Sequence, residues 1–308
     1  MPAAAAGLRF DQALARALPQ YSRAQLKSWI ESGAARAEGR ALRGKDRVLG
    51  GERVRIEARF ASLSEVEVGA ETLPLTVVFR DRALLVIDKP AGMVVHPGAG
   101  NPRHTLQNAL LGLDRKLALV PRAGLVHRLD KDTSGLLVVA RTPEVHTALV
   151  AALAAREISR QYVAVCTGVM TGGGTVDEPI GRHRSQRLRM TVRRDGRPAV
   201  THYRVLKRFR AHTLVRVELE SGRTHQIRVH LAHLGFPIVG DPLYGGRRRL
   251  PAGCTPALAA ALGAFHRQAL HAECLALTHP ATGRRMQWQA APPADLQGLL
   301  RALEGDAT

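Results

Sequence analysis

Residues 135–141 read GLLVVAR, a short apolar run that leaves few ways to fold. With a Gly at its start and Thr142-Pro143 after it, the run reads as a buried strand, and the Thr-Pro pair opens a helix reaching about residue 156 with Pro in its first turn. Other strands are expected at 77–79, 84–88, 161–167 and 214–220, with a helix over 105–113. Thr224 is placed to cap a further helix in which Ile227, Leu231 and Leu234 share one face. Strands and helices alternate without a regular βαβ repeat. That pattern predicts an α+β chain and argues against a doubly wound parallel sheet.

Residues 8–59 form a small unit of their own. Leu14, Leu18, Leu26 and Ile30 recur at near-helical spacing through two short segments separated by PQYSR, where Ser22 can cap the second helix. Basic side chains, among them Arg23 and Lys27, are interleaved with that stripe. GAARAEGRAL and GGERVRIEA then read as two short strands, the second alternating at Val54 and Ile56. Residues 61–76 carry Glu65, Glu67 and Glu71, a composition shift expected of a linker.

Charge narrows the function. Lys and Arg total 45 against 26 Asp and Glu, a formal net charge of +19, which favours polyanionic partners and nucleic acid first among them. The three cysteines, Cys166, Cys254 and Cys274, show no CxxC spacing, so neither a disulfide framework nor a thiolate zinc site is indicated. The N-terminus lacks a cationic start followed by an apolar run, and no segment reaches the roughly 20 apolar residues that span a bilayer. A cytoplasmic protein without a membrane partner is expected, with a monomer as the default.

Residues 124–137, GLVHRLDKDTSGLL, crowd His127, Arg128, Asp130, Lys131 and Asp132 into the loop that feeds the buried strand. A carboxylate beside the core needs a cation or several donors, and Arg128, Lys131, Thr133 and Ser134 are the local candidates. A plain turn before Gly135, capped by Asp130 or Asp132, is the competing explanation.

The stretch HRLDKDTSGLLVVA resembles the signature of the RluA-type family of RNA pseudouridine synthases. Three further stretches match in the same order: DKPAGMVVHPGAGN at 88–101, EISRQYVAVCTG at 157–168 and LESGRTHQIRVHLAHLGFPIVGDPLYG at 219–245. The GAGN variant, PRAGLVHRLDKDTSG and LHAECLALTHP are most similar to the family's large-subunit ribosomal RNA synthase D branch. The resemblance implies a catalytic domain over 77–303 with a mixed, mainly antiparallel central sheet flanked by helices. It makes Asp130 the catalytic residue, pairs it with Arg228 in a salt bridge, and makes Tyr162 the aromatic that stacks on the target base. Arg128 is implied in displacing the base or holding the RNA backbone, and Ile227 in the apolar wall. The implied reaction detaches uracil from C1′, turns it and rejoins it through C5, and uses no cofactor and no metal. Its substrate would be large-subunit ribosomal RNA or a pre-ribosomal particle, in the stem-loop called helix 69.

Residues 8–60 separately resemble the alpha-L RNA-binding module first described in a small-subunit ribosomal protein, with Ala37-Glu38-Gly39 where that module usually carries Val-Asn-Gly. Arg23 and Lys27 would then contact RNA. So would Arg182, Arg184, Arg187, Arg189, Arg193 and Arg194, with Arg197 and the run at 247–249, as phosphate contacts.

Four other readings compete. His225, His230, His233 and Asp241 invite a metal site, although the HExxH pattern is absent. Ser134, His127 and Asp130 suggest a hydrolase triad, although no GxSxG elbow surrounds the serine. Transfer RNA is the alternative substrate, and a non-catalytic ribosomal RNA assembly factor is the alternative class.

Overall fold

A computed structural model describes residues 1–18, 21, 23–57, 69–98, 100–186, 188–246 and 250–306. Ser22, Arg187, the Arg23 side chain, the arginine run at 247–249 and residues 61–68 of the expected linker lie outside the described residues.

The N-terminal unit contains helices α1 (Phe10–Ala17) and α2 (Arg23–Glu31) and a two-stranded antiparallel ribbon, β1 (Ala35–Ala37) and β2 (Val54–Ile56). Phe10, Leu14, Leu26 and Ile30 meet Ala35, Ala37 and Val48 in one small core. That is the apolar stripe expected from the helical spacing. Residues 69–75 are not a free tether. The Glu71 amide donates to the Asn108 carbonyl, the Asn108 side-chain amide donates to the Gly69 carbonyl, and Leu75 packs on the main core.

The body of the protein is a nine-stranded sheet. Its strands in chain order are β3 (Thr76–Arg80), β4 (Leu84–Lys89), β5 (Ser134–Ala140), β6 (Ser159–Thr167), β7 (Gly174–Asp177), then β10 (Val200–Arg208), β11 (His212–Leu219), β12 (Leu270–Thr278) and β13 (Arg285–Gln289). β8 (Ile180–Arg182) and β9 (Met190–Val192) form a separate antiparallel ribbon. The spatial order is β3-β4-β5-β12-β6-β11-β10-β7, with β13 against β12. The β5–β12 pair is parallel and the other recorded pairs are antiparallel, so the sheet is mixed and mainly antiparallel as expected.

The apolar run has a direct explanation. All seven residues of β5 are buried because both faces of the sheet are covered. Leu137 and Val139 face the larger cluster with α3 (Leu106–Leu113), α6 (Pro256–Ala264) and α7 (Ala294–Gly305). Leu136, Val138 and Ala140 face α4 (Pro143–Ala154) and Trp288. Thr142 caps α4 with Pro143 at its first position, and Thr105 and Asn108 close a capping box on α3. Gly135 has φ +112°, and a Cβ there would lie 2.3 Å from the Ala272 carbonyl oxygen. Only glycine lets β5 approach β12 this closely while taking the loop before it into the core.

One expected helix start is displaced. α5 (Gln226–His233) begins after His225, in the left-handed region at φ 57°, and not after Thr224. The cap hydrogen bonds come from within: Gln226 Oε1 accepts from the Arg223 amide at 3.0 Å and from Ser221 Oγ at 2.8 Å. That left-handed turn aims the His225 ring back across the loop that carries Asp130. Among the described residues no helix is long and apolar enough to cross a membrane.

Candidate active site

The loop before β5 is fixed from several sides, and together these contacts hold Asp130 in place. The Thr133 amide donates to the Asp130 carbonyl at 3.1 Å. Lys89, fully buried, donates to the carbonyls of Pro90, Met93 and Lys131 at 2.7, 2.9 and 2.9 Å. Burial pushes its ammonium down to about 7, while Asp132 and then Asp130 pull the other way. Arg267 donates to the Asp132 carbonyl at 3.1 Å, and Gln268 donates to Thr133 Oγ1 at 3.0 Å.

The cation that meets Asp130 comes from α5, 98 residues away. Arg228 Nη1 donates to Asp130 Oδ2 at 2.9 Å. Its Nε and Nη2 grip Asp241 bidentately at 2.7 and 2.9 Å. Asp241 in turn accepts the backbone amides of Leu243 and Tyr244 at 2.9 and 3.0 Å. A guanidinium held bidentately by a fully buried carboxylate has its plane and direction fixed, which turns Nη1 toward Asp130, so Asp241 fixes Arg228 and Arg228 fixes Asp130. Burial opposes the Arg228 charge, but the hydrogen bonds and charge of Asp241, followed by Asp130, outweigh it and hold the group's pKa above its ordinary value. The salt bridge implied for Arg228 is therefore present.

The hydroxyls expected to serve Asp130 are engaged elsewhere: Thr133 Oγ1 with Gln268, and Ser134 Oγ with His271 Nδ1 at 2.9 Å. Lys131 is exposed.

A cavity beside Asp130 is lined by Tyr162, Ile227, Arg228, His225 and Leu219. Tyr162 stands on β6 opposite Val217, is 5% exposed, and has its phenol pushed up by burial, so it is neutral. Ile227 is 4% exposed and joins the main core. Arg128 is exposed and borders this cavity together with a groove on one side and a cleft on the other. Asp130, Arg228, Tyr162, Ile227 and Arg128 are thus gathered around one space.

Two residues at this site were not assigned such a place from the sequence. His225 Nε2 lies 4.0 Å from Asp130 Oδ2, and its Nδ1 pairs with the Tyr244 hydroxyl at 2.9 Å. Tyr244 Oη also accepts the Met190 amide at 2.8 Å, so the hydroxyl joins His225 to the β8–β9 ribbon. Burial holds the His225 pKa down, against the pull of Asp130. The Tyr244 ring lies between Arg228 at 5.1 Å and Arg189 at 5.3 Å, so it links the β8–β9 ribbon to the Asp130 pair.

The arginines of that ribbon divide into two groups. Arg182, Arg184 and Arg194 are exposed. Arg193 is taken bidentately by Asp195 and also donates to the Arg182 carbonyl, and Arg189 stacks on Tyr244. The side chains of Arg189 and Arg193 thus build the ribbon. Lys27 is exposed and lies 3.5 Å from Glu31.

The alternative constellations do not converge. His230 Nδ1 pairs with Thr201 Oγ1 and its Nε2 with the Glu178 carbonyl, while Asp241 belongs to Arg228. Among the described residues no group of three His, Cys, Asp or Glu is placed to hold a metal ion. Ser134 meets His271, and His127 Nε2 accepts the Val138 amide, so no Ser134–His127–Asp130 triad forms.

Residues 83–233 match the RNA pseudouridylate synthase family. The chain is 55% identical over 307 residues to the ribosomal large subunit pseudouridine synthase D of Xanthomonas campestris, covering 100% of this chain and 92% of that one. It is 53% identical to the protein of the same name from Pseudomonas aeruginosa, covering 97% and 93%, and 50% identical to that of Escherichia coli K12, covering 97% and 92%. Among solved structures it is similar to human RNA pseudouridylate synthase domain containing 4, with a TM-score of 0.58, 27% identity and 74% and 92% of the two chains covered.

Proposed function

The chain belongs to the RNA pseudouridylate synthase family and is an RNA pseudouridine synthase, and on that premise we propose that it isomerises uridines of large-subunit ribosomal RNA, in the helix 69 stem-loop, with Asp130 as the catalytic carboxylate. One observation carries the assignment of the residue: Asp130 is aimed by Arg228, itself locked by Asp241, into a cavity walled by Tyr162 and Ile227.

The reaction breaks the N1–C1′ bond, turns the uracil and forms a C5–C1′ bond. N1 gains a proton and C5 loses one, so atoms and electrons balance without a further reactant. An oxygen nucleophile or base must meet the nucleoside where water is excluded. A carboxylate beside an immobile guanidinium supplies it, whether it attacks C1′, adds to C6 or starts a glycal route. Arg228 keeps the carboxylate pointed, and Tyr162 offers a neutral ring face to the base.

A target uridine has to leave its stack to reach Asp130, and the aromatic face restores part of the stacking lost. Arg128, exposed at the mouth, fills the space the base vacates or holds the backbone. Arg182, Arg184 and Arg194 contact phosphates, and the N-terminal unit, through Lys27 and Arg23, adds affinity for a large RNA.

The test is single-turnover pseudouridine formation on a helix 69 stem-loop by wild type and Asp130→Asn. Product from wild type and none from the variant, with RNA binding kept, is the expected result. An active Asn variant removes Asp130 from the role, and conversion of transfer RNA with no conversion of the stem-loop replaces the substrate.

A further inference from the structure

Arg160 carries a charge that the described residues leave unanswered. It lies on β6 two residues before Tyr162, so the two side chains leave the same face of the strand. It is 7% exposed, its Nε is buried without a partner, and its side chain makes no hydrogen bond or ion pair with the described residues. Burying a guanidinium Nε with no acceptor is costly, and an incoming acceptor would offset part of that cost.

His127, which lines the same groove as Arg160, holds a second unmet donor. His127 Nε2 accepts the Val138 amide at 3.1 Å, which puts the ring proton on Nδ1, and Nδ1 is buried with no acceptor. Burial takes His127 down to about 3, so the ring is a neutral donor at any physiological pH.

Both residues line a groove of about 910 Å³ that also takes in Arg122, Arg156 and Arg223. Glu220, the carboxylate on this groove, is already engaged by Arg156 and by His202 at 2.8 Å. Arg160, Arg128 and Arg223 border the Asp130 cavity as well, so Arg160 stands at the passage between the two. The chain beside it is Gly222, where a Cβ would come within 3.0 Å of Arg160 Nη1. The backbone passes close, and its smallest residue leaves the guanidinium room.

We propose that Arg160, with His127, forms a subsite for one of the two phosphodiesters that directly flank the target uridine. The inference rests on the RNA-isomerase reading above. A nucleotide turned into the Asp130 cavity brings its own phosphates to the mouth of that cavity, and a phosphate oxygen accepts from a guanidinium and an imidazole N–H together. An uncharged ligand would leave the surrounding arginines uncompensated.

The test uses the full-length protein and stem-loop RNAs carrying a neutral methylphosphonate at the 5′ or the 3′ phosphate of the target uridine. Wild type is expected to slow at least tenfold on one of these RNAs and little on the other. Arg160→Gln should slow by a similar factor on natural RNA and lose nothing more on the sensitive modified RNA, the non-additivity expected of partners in contact. Arg160→Lys should recover part of the rate, which a purely structural role for the planar group would not allow.

Wild type indifferent to both modifications overturns the proposal, as does an Arg160→Gln penalty that simply multiplies with the modification. If Gln at 160 prevents folding, the wild-type arm and the Lys variant still decide. If wild type forms no pseudouridine on natural RNA, the functional reading fails on its own, and fluorescence anisotropy with the same RNAs still reports whether the flanking phosphate contributes to binding.

Discussion

The N-terminal unit and the sheet body use the same residue types in opposite ways. In residues 1–57 the recorded ion pairs are local and wet: Arg9–Asp11, Arg43–Asp46, Lys27–Glu31 and Arg55–Glu57, the last two more than 60% exposed on both sides. Such exposed pairs each contribute little stability, about 0–1 kcal/mol, and lie where a phosphate can compete for their cations. In the body, Asp130, Arg228 and Asp241 come from distant parts of the chain and are nearly or fully buried. Charge buried this way is poor as glue but good at fixing direction. On the proposed function, the first region would add affinity for a large RNA and the second would carry the chemistry.

The sharpest way to separate the regions is to break the buried network. Arg228→Met should cost activity at least about 100-fold and destabilise the body by about 3–5 kcal/mol, because Asp241 is left buried without its cation. Arg228→Lys keeps the charge but cannot grip Asp241 bidentately and point at Asp130 at once. Its stability should largely recover while its single-turnover rate does not. Recovery of both would mean that charge alone suffices and direction does not matter.

Removing residues 1–60 is the complementary change. Binding to a large ribosomal RNA fragment should weaken about tenfold or more, while turnover of a short stem-loop stays within about threefold. Filter binding against the rate on the small substrate measures the two, and an equal loss on both would merge the regions functionally.

Acid should also tell them apart. Burial holds His96, His146, His212, His225, His230 and His271 below the ordinary histidine value, with His127 at about 3. The unfolded chain binds these protons near pH 6.5 and the folded chain refuses them. With more protons on the unfolded state, stability rises with pH through this window and falls from pH 7 to pH 5. Residues 1–57 contain no histidine, and Glu52, whose backbone donors hold it low, matters only below about pH 4.5. Each region has one tryptophan, Trp29 and Trp288, so Trp29→Phe and Trp288→Phe variants report them separately. The Trp288 transition should move to lower urea on acidification and the Trp29 transition should not.

The smallest effect concerns Glu38. It adopts the left-handed region at φ 47°, and its carboxylate accepts the Arg53 amide at 2.6 Å, so the acid in the Ala37-Glu38-Gly39 turn is turned onto its own ribbon. Asn tolerates that conformation and removes the charge. Glu38→Asn should tighten RNA binding about twofold without changing the stem-loop rate.

What could be read in advance follows the range of the interaction. β5, α4 and the N-terminal stripe rest on neighbours within a turn or a strand, so Gly135, Thr142-Pro143 and Leu14 to Ile30 announced them. Asp130 and Arg228 came from resemblance to a family, because nothing local links residues 98 positions apart. Asp241 looked like a metal ligand and His225 like its neighbour, since a sequence shows which groups can bind but not which partner reaches them first. Lys89 and Arg160 gave no local sign of burial: one is satisfied by three carbonyls and the other is left waiting. Only the pairing of strands brings those facts out. Thr224 was one residue off because Gln226 replaces the usual cap and the left-handed His225 absorbs the turn.

The most direct test of Asp130 and its substrate is chemical mapping of pseudouridine in ribosomal RNA from cells lacking this protein, complemented with wild type or with Asp130→Asn. Loss of helix 69 pseudouridines, restored by wild type and not by the variant, is the predicted result. An unchanged large-subunit map, or full restoration by Asp130→Asn, would contradict it.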